Sequence, residues 1–366
     1  MPKDINKNKS INRAKTITEL VISAVILAAG GFVIKSEIDD VRTVPQSQFV
    51  DMDQDIKIPG EDEIVDPNKV IFAPQSFSTK DKFTGDLILV NNDYQYFSTG
   101  EEDLISISEK NDEEGRTSFA AFDYSYLILN SVYEPMAKMI DDFYDIYNND
   151  TLIIYGSYRT NSFQQELYDQ FTATEDDEDA PIVAKPGYSE HETGYAFDFS
   201  ESVNYDYQGD GDFRWINENC YKYGFIVRYP KNKEDITEFR YEPWHFRYVG
   251  IPHAAYMMKN DLCLEEYIDL LRSSHSYESE HLEITDDSGE EYEVYFYPSD
   301  DANETTDVPV PTGYKYDISG NNVDGFIITV HKSKKVSLGN ENPNAGAQTP
   351  DPTEPATTEE PEDAAE

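Results

Sequence analysis

Ser189-Glu190-His191-Glu192-Thr193-Gly194-Tyr195-Ala196-Phe197-Asp198 decides how this chain is read, together with Glu242-Pro243-Trp244-His245 further along. Between them they offer His191, His245 and Asp198 as metal ligands, and a spare carboxylate, Glu242, three residues before the last imidazole. Three protein ligands with a fourth position open form the donor set of a catalytic zinc site rather than a structural one. The local frame suits that role. Gly194 relaxes the backbone between the first two ligands, and Ala196 is small enough to leave room beside a metal. Tyr195 to Phe199 reads as a strand in which Asp198 shares a face with Ala196, while Tyr195, Phe197 and Phe199 turn the other way into a core. Taken alone, these residues fit equally well an edge strand with a surface Asp and a capping His.

His245 lies in an aromatic run, Phe239-Arg240-Tyr241-Glu242-Pro243-Trp244-His245-Phe246-Arg247-Tyr248. Apolar neighbours favour the neutral imidazole that binds metal. Glu242 beside it is placed to take a proton from an attacking water. Without His191 and Asp198, a core His bonded to a Glu would be the simpler account. His253, His275, His281 and His331 lack comparable frames and read as surface residues. A third element is Gly156-Ser157-Tyr158-Arg159-Thr160, with Gln164 five residues beyond Arg159. An Arg just past a strand can fork onto a carboxylate or stabilise an oxyanion, or simply sit in a surface ion pair.

The chain has 366 residues, long enough for one or two domains with a real core. Its net charge of −44 supplies no basic stripe for phosphate and so argues against nucleic acid as a partner. Aromatics at 13%, with 27 tyrosines, still promise a packed globular part. Residues 1–17 form a basic leader, and 18–35 contain the apolar run Leu20 to Ile34. That run is short for a spanning helix and long for a signal-peptide core. The long basic leader favours an uncleaved, single-pass cell-membrane anchor with its N-terminus in the cytoplasm and the catalytic part on the extracellular, cell-wall side. Residues 36–68 read as an acidic linker, and 336–366 as a disordered acidic, Pro-rich tail. Cys220 and Cys263, the only cysteines, fit either a disulfide or two buried free thiols.

Between those ends, helices and short strands mix without a βαβ rhythm, which argues for α+β. The spacing predicts helices over 132–148, 161–171, 215–223 and 262–271, with Gly224 capping the third. Strands are expected at 86–90, 151–155, 195–199, 225–229 and 239–242. Residues 172–180 read as an acidic loop. The peptidase domain is expected over 69–273. Two hairpin patterns, at 281–297 and 314–331, make 274–335 a β-rich appendage.

These motifs, in this order, resemble the VanY-type D-alanyl-D-alanine carboxypeptidases. They belong to a metallopeptidase group that also holds D-Ala-D-Ala dipeptidases, lysostaphin-like endopeptidases and the hedgehog signalling domain. The resemblance rests on Leu89-Val90-Asn91-Asn92, Ser157-Tyr158-Arg159 with Gln164, the Ser189 to Asp198 box, Trp215 to Pro230, Lys233 to Thr237, and Tyr241 to Gly250. It covers about residues 85–255. It implies a small antiparallel sheet flanked by helices, and one zinc ion on His191, Asp198 and His245. Glu242 would be the general base. Ser189 would hold the substrate's terminal carboxylate, Arg159 would stabilise the oxyanion and Gln164 would line the pocket. Glu192 stands where relatives often carry Gln. The expected substrates are peptidoglycan stem peptides ending in D-Ala-D-Ala. L,D-carboxypeptidase or endopeptidase activity, or a non-hydrolytic wall-binding module, are the alternatives. Oligomeric state is not legible.

Overall fold

Apolar alternation and β-branched runs resolve into thirteen strands among residues 70–172 and 183–335, which the computed structural model describes. They are β1 (Ile71–Ser78), β2 (Leu104–Ser106), β3 (Ala120–Ala121), β4 (Leu127–Leu129), β5 (Leu152–Gly156), β6 (Ala196–Glu201), β7 (Phe225–Tyr229), β8 (Glu242–Tyr248), β9 (Leu282–Thr285), β10 (Glu291–Pro298), β11 (Thr305–Thr312), β12 (Tyr314–Gly320) and β13 (Gly325–Lys335). The expected leader, membrane anchor, linker and tail, and nearly all of the 172–180 loop, lie outside the described residues. No helix among the described residues is long and apolar enough to cross a membrane.

The central sheet has the order β3-β5-β6-β8-β7. All its pairings are antiparallel except the short β3 edge, which runs parallel to β5. Register places the chemistry. Gly156 pairs with Asp198, and Asp198 pairs with His245, so three adjacent strands meet at one level. Directly opposed residues project to the same face, which puts the Asp198 and His245 side chains together. Gly156 makes room for them: a Cβ built there falls 2.2 Å from Asp198 Oδ2 and 2.9 Å from Asp198 Cβ. Gly156→Ala is therefore expected to push Asp198 off its position and to lower divalent-metal affinity at least tenfold, measured by competition with a chromogenic chelator. Unchanged affinity would show that the strands relax without disturbing Asp198.

The opposite face is core. The helix Asn130–Tyr147 buries Val132, Tyr133, Met136, Ala137, Met139, Ile140 and Phe143. These pack with Leu152 and Ile154 of β5, Phe197 and Phe199 of β6, and Phe246 of β8. Each large side chain so buried contributes about 1.5–3 kcal/mol, and together they hold the sheet that presents the ligands. The helix stops at Asn148, whose φ of 51° is the left-handed cap that Asn tolerates.

The expectations at 86–90 and 239–242 are corrected. Leu87 to Val90 are buried without joining a sheet. Their backbone is bonded instead by the Arg247 guanidinium to Asp86 O and Ile88 O, by Asn321 O to Leu89 N, and by the Asn322 amide to Leu89 O. The strand expected at 239–242 instead begins at Glu242, where the aromatic alternation of Trp244, Phe246 and Tyr248 starts, and carries His245 within it. The helices Ile107–Glu114 and Ile251–Asn260 and strands β1, β2, β4 and β11 were not legible beforehand. Two of the four remaining histidines are also not on the surface. His253 is buried between Tyr267 Oη (2.8 Å) and Thr329 Oγ1 (3.0 Å), and His331 is buried against Asp317 (2.5 Å). Cys220 and Cys263 are both free and buried. Burial pushes each thiol up to about 12, so neither is a thiolate at neutral pH.

Both expected hairpins form, within a sheet of order β12-β13-β10-β9. One apolar set from that sheet, Leu282, Ile284, Tyr292, Val294, Phe296 and Ile327, shares a core with Leu87, Leu89, Val249, Met257, Leu264 and Leu271. A second set, including Tyr295, Ile328 and Val330, packs with Val308 and Val310 of β11 and with Phe72 and Phe77 of β1. β1, near the start of the described chain, pairs antiparallel with β11 over eight residues.

Candidate metal centre and active site

The tight turn Glu190–Thr193 closes on Gly194 at φ 74° and drops His191 beside the β6–β8 level. His191, Asp198 and His245 each bring one ligand atom within 4.8 Å of the others. His191 Nε2 lies 3.2 Å from Asp198 Oδ2, and His245 Nδ1 lies 2.9 Å from Asp198 Oδ1. The far sides of both rings explain why those atoms face inward. His191 Nδ1 is 2.9 Å from the Ser157 carbonyl, which can only accept, so the proton sits on Nδ1. His245 Nε2 faces Glu190 Oε2 at 3.4 Å, and an ionised carboxylate also only accepts. A metal beside Asp198 would meet a lone pair from each ring, whereas without one the proton on His245 Nδ1 donates to Asp198 Oδ1 at 2.9 Å. Two lone pairs and a carboxylate meeting in a buried space repel one another unless a cation lies among them, so the donor set fits a divalent metal of the N/O-binding type.

The electrostatics agree. Burial, then the nearby Arg159 charge, pulls His191 down to about 4, leaving it neutral. Burial also presses on His245, but hydrogen bonds to Asp198 and Glu190 outweigh it and raise the ring to about 9. Without a metal, a proton is the positive charge that those carboxylates hold. Burial opposes ionisation of Asp198, yet His191 and His245 keep its carboxyl well below the usual range.

Glu242 opens β8 across from Tyr229. Burial is the main influence on it and raises it to about 7; Asp198 adds to the rise, while His245, Arg240 and Arg159 oppose it. It lies outside the three-ligand cluster yet within electrostatic reach of two of its members. Arg159 reaches Asp198 Oδ2 and Gln164 Oε1, each at 3.4 Å, and its backbone N–H donates to His191 O at 3.1 Å. Gln164 is fully buried and donates to the Ala184 carbonyl at 2.7 Å, which puts it behind Arg159 as a brace. Ser189 is buried at the entry to the His191 turn. Glu192 accepts from Gly187 N at 2.7 Å and Asn161 Nδ2 at 3.0 Å, tying the turn to its surroundings.

Sequence reasoning missed Glu190. Its side chain is fully buried, with Oε1 accepting from Arg228 Nε at 2.7 Å and Arg247 Nη1 at 2.6 Å. Burial opposes its charge, but those two guanidiniums hold its carboxyl far below the usual range. Arg228 in turn forks onto Glu265 at 2.8 and 2.6 Å. Glu190 therefore links His245, one of the three candidate ligands, to two fully buried arginines. A signal existed: Arg228 and Arg247 sit inside apolar strands, and an arginine buried there requires an ionised partner.

A five-stranded α+β sheet that gathers two imidazoles, a carboxylate and a nearby glutamate on one face defines a metallopeptidase-type site. The VanY family model, described as D-alanyl-D-alanine carboxypeptidase, matches residues 128–251. A D-alanyl-D-alanine carboxypeptidase of Enterococcus faecium is 33% identical over 249 residues, which is 68% of this chain and 76% of the relative. A bifunctional D-Ala-D-Ala dipeptidase and carboxypeptidase, VanXYC of Enterococcus gallinarum, is 44% identical over 101 residues, 25% of this chain and 51% of that one. The crystal structure of the D,D-dipeptidase VanXYg with a D-Ala-D-Ala phosphinate analog superposes with a TM-score of 0.62 at 26% identity, covering 71% of this chain and 99% of that one. The chain belongs to the VanY family of D-alanyl-D-alanine carboxypeptidases.

Proposed function

We propose that this chain is a zinc-dependent D,D-carboxypeptidase that releases the terminal D-Ala from peptidoglycan stem peptides ending in D-Ala-D-Ala. The observation that carries this reading is the convergence of His191 Nε2 and His245 Nδ1 on Asp198, with Glu242 in reach. When bound, the ion supplies Lewis acidity to the attacking water and the scissile carbonyl. The rest falls to side chains. Ser189 and the turn it opens receive the substrate's terminal carboxylate. Glu242 takes a proton from the water as its oxygen bonds to the carbonyl carbon. Arg159, braced by Gln164, faces the oxyanion that develops. Glu242 then delivers its proton to the leaving nitrogen as the C–N bond breaks, freeing D-Ala.

Mass spectrometry of products from pentapeptide and tetrapeptide stems tests this. D-Ala is expected from the pentapeptide, with loss of release in chelator and recovery on adding zinc. Release from the tetrapeptide alone would make the enzyme an L,D-carboxypeptidase. Binding of zinc and stem without any release would make it a wall-binding module.

Glu242 also sets a pH limb. The base must be ionised, and its raised pKa means activity is lost as pH falls through it. About 7 applies to the metal-free site, and a nearby cation can only lower it. The acid limb of kcat/KM is thus expected at or below pH 7, read from a pH–rate profile; a limb clearly above 7 contradicts the assignment.

The basic leader and the apolar run at 18–35 support a further reading, that the catalytic part is held outside the cell membrane. Full-length protein in the membrane fraction is the expected result. Recovery of the intact N-terminus in a soluble culture fraction would count against it.

A further inference from the structure

Away from the three ligands, several aromatic side chains are exposed side by side. Phe122, Tyr155 and Tyr205 are 52%, 48% and 57% exposed. Their rings are in mutual contact: Phe122 to Tyr155 at 5.3 Å, Tyr155 to Tyr205 at 5.9 Å, and Phe122 to Tyr205 at 6.4 Å. Tyr126 joins them, 6.1 Å from Phe122. Water-exposed rings that cluster in this way mark interaction surfaces, because scattered exposure would leave them separate. The backbone holds them in place. Phe122 N donates to Ile154 O at 3.0 Å, and Tyr205 N donates to Glu201 O at 2.9 Å. Tyr205 also sits at φ 56°, a conformation unfavourable for an aromatic residue. The fold thus keeps an aromatic ring at a position where Asn or Gly would be easier.

Tyr126 links the patch to the active site, against Phe122 on one side and within electrostatic reach of Arg159 and Asp198 on the other. Tyr155 precedes Gly156, the partner of Asp198. Tyr158, next to Arg159, bonds through its N–H to Leu127 O at 2.9 Å, in the segment that carries Tyr126. Tyr126 feels the charges of both Arg159 and Asp198. A substrate whose scissile carbonyl faces Arg159 has the chain before that bond to place on neighbouring surface. In a pentapeptide stem, the four residues before the scissile bond reach at most about 14 Å.

We propose that Phe122, Tyr155 and Tyr205, entered past Tyr126, form a carbohydrate platform that holds the wall sugar to which the stem peptide is attached. The chemistry fits. The axial C–H face of a pyranose carries slight positive charge and lies against the electron-rich face of an aromatic ring. The tyrosine hydroxyls at the rim can bond to sugar hydroxyls. Rings that are tilted or edge-on, rather than in one flat sheet, favour a contoured ring over a flat apolar partner. A neutral sugar also meets less repulsion from this anionic chain than an acidic partner would. The inference rests on the proposed carboxypeptidase reading, which supplies the substrate.

The test compares two substrates with the same D-Ala-D-Ala end, the free pentapeptide and the disaccharide-linked pentapeptide, on full-length protein. Wild type is expected to show about tenfold higher kcat/KM on the sugar-linked form, as one ring stacking worth ~1.4 kcal/mol would give. Phe122→Ala, Tyr155→Ala and Tyr205→Asn should each erase much of that preference and leave the free peptide unchanged. Tyr155→Trp should retain it. In parallel, saturation-transfer NMR with the disaccharide lacking a peptide should show ring-proton contacts in wild type that the three variants lose. This second readout judges the platform even if hydrolysis itself is absent, in which case the carboxypeptidase reading fails alone. Equal kcat/KM on the two substrates with no disaccharide signal overturns the platform. So does an equal loss on both substrates in the variants, or a concentration-dependent dimer that the same substitutions abolish.

Discussion

Glu242→Gln is expected to reduce kcat/KM for a D-Ala-D-Ala stem by about 10²–10⁴-fold, the usual worth of a positioned general base, while zinc content stays at the wild-type level. Gln keeps the shape and the hydrogen-bonding reach of the side chain but cannot take a proton. The metal prediction follows because the ligand cluster consists of His191, Asp198 and His245 and does not include Glu242. Burial that raises Glu242 to about 7 in the metal-free site also makes it a good proton carrier near neutral pH. Removing its charge should lose the acid limb below pH 7 along with the rate. Near-normal turnover with zinc bound would mean that another group takes the proton, and loss of zinc would mean that Glu242 is a ligand.

Glu190→Leu is expected to cost about 3–5 kcal/mol of stability, because it leaves two buried guanidiniums without their shared carboxylate. Both arginines and Glu190 have no side-chain exposure, so solvent cannot take over the missing partner. The pH sign follows from linkage. Glu190 has its folded pKa below the ordinary 4.5, so its contribution is present above that value and is lost as pH falls toward the folded pKa. The midpoint difference between wild type and Glu190→Leu in urea should therefore shrink on acidification. Glu190→Gln separates the second role. It keeps the volume but weakens the partner of His245 Nε2, and metal affinity should drop about 10–100-fold, as for other residues that orient a ligand imidazole. A Glu190→Gln protein that is destabilised yet binds metal normally would leave Glu190 as a brace for the arginines alone.

The candidate ligand set was legible in the sequence, and the structure gathers its three donor atoms within 4.8 Å of one another. His245 between Trp244 and Phe246, His191 seven residues before Asp198, and a Glu three positions before the second His stand at spacings that together suggest a donor set. Elements with strong local patterning were legible too. Leu152 to Gly156 has a β-branched run, the 130–147 helix carries an apolar stripe, and the hairpin at 282–298 is marked by Asp286-Asp287-Ser288-Gly289. What could not be read depends on partners distant in the chain. Asp86 to Val90 resembles a strand locally, but its backbone is bonded by Arg247 and Asn322. β1 acquires its role only by meeting β11, more than two hundred residues later. His253 looks like a surface residue until Tyr267 and Thr329 enclose it.

From its own residues, then, the chain determined which donor groups are on offer, because donor atoms and their spacing follow from residue type. The tertiary structure decided how those groups are held. Gly156, Asp198 and His245 share a level only through strand register, and Glu190, one residue from His191, becomes the hub behind His245 only when β7 and β8 bring Arg228 and Arg247 to it. The reason is physical: a ligand set is a property of side chains, whereas tautomer, charge state and burial belong to neighbours that folding alone assembles.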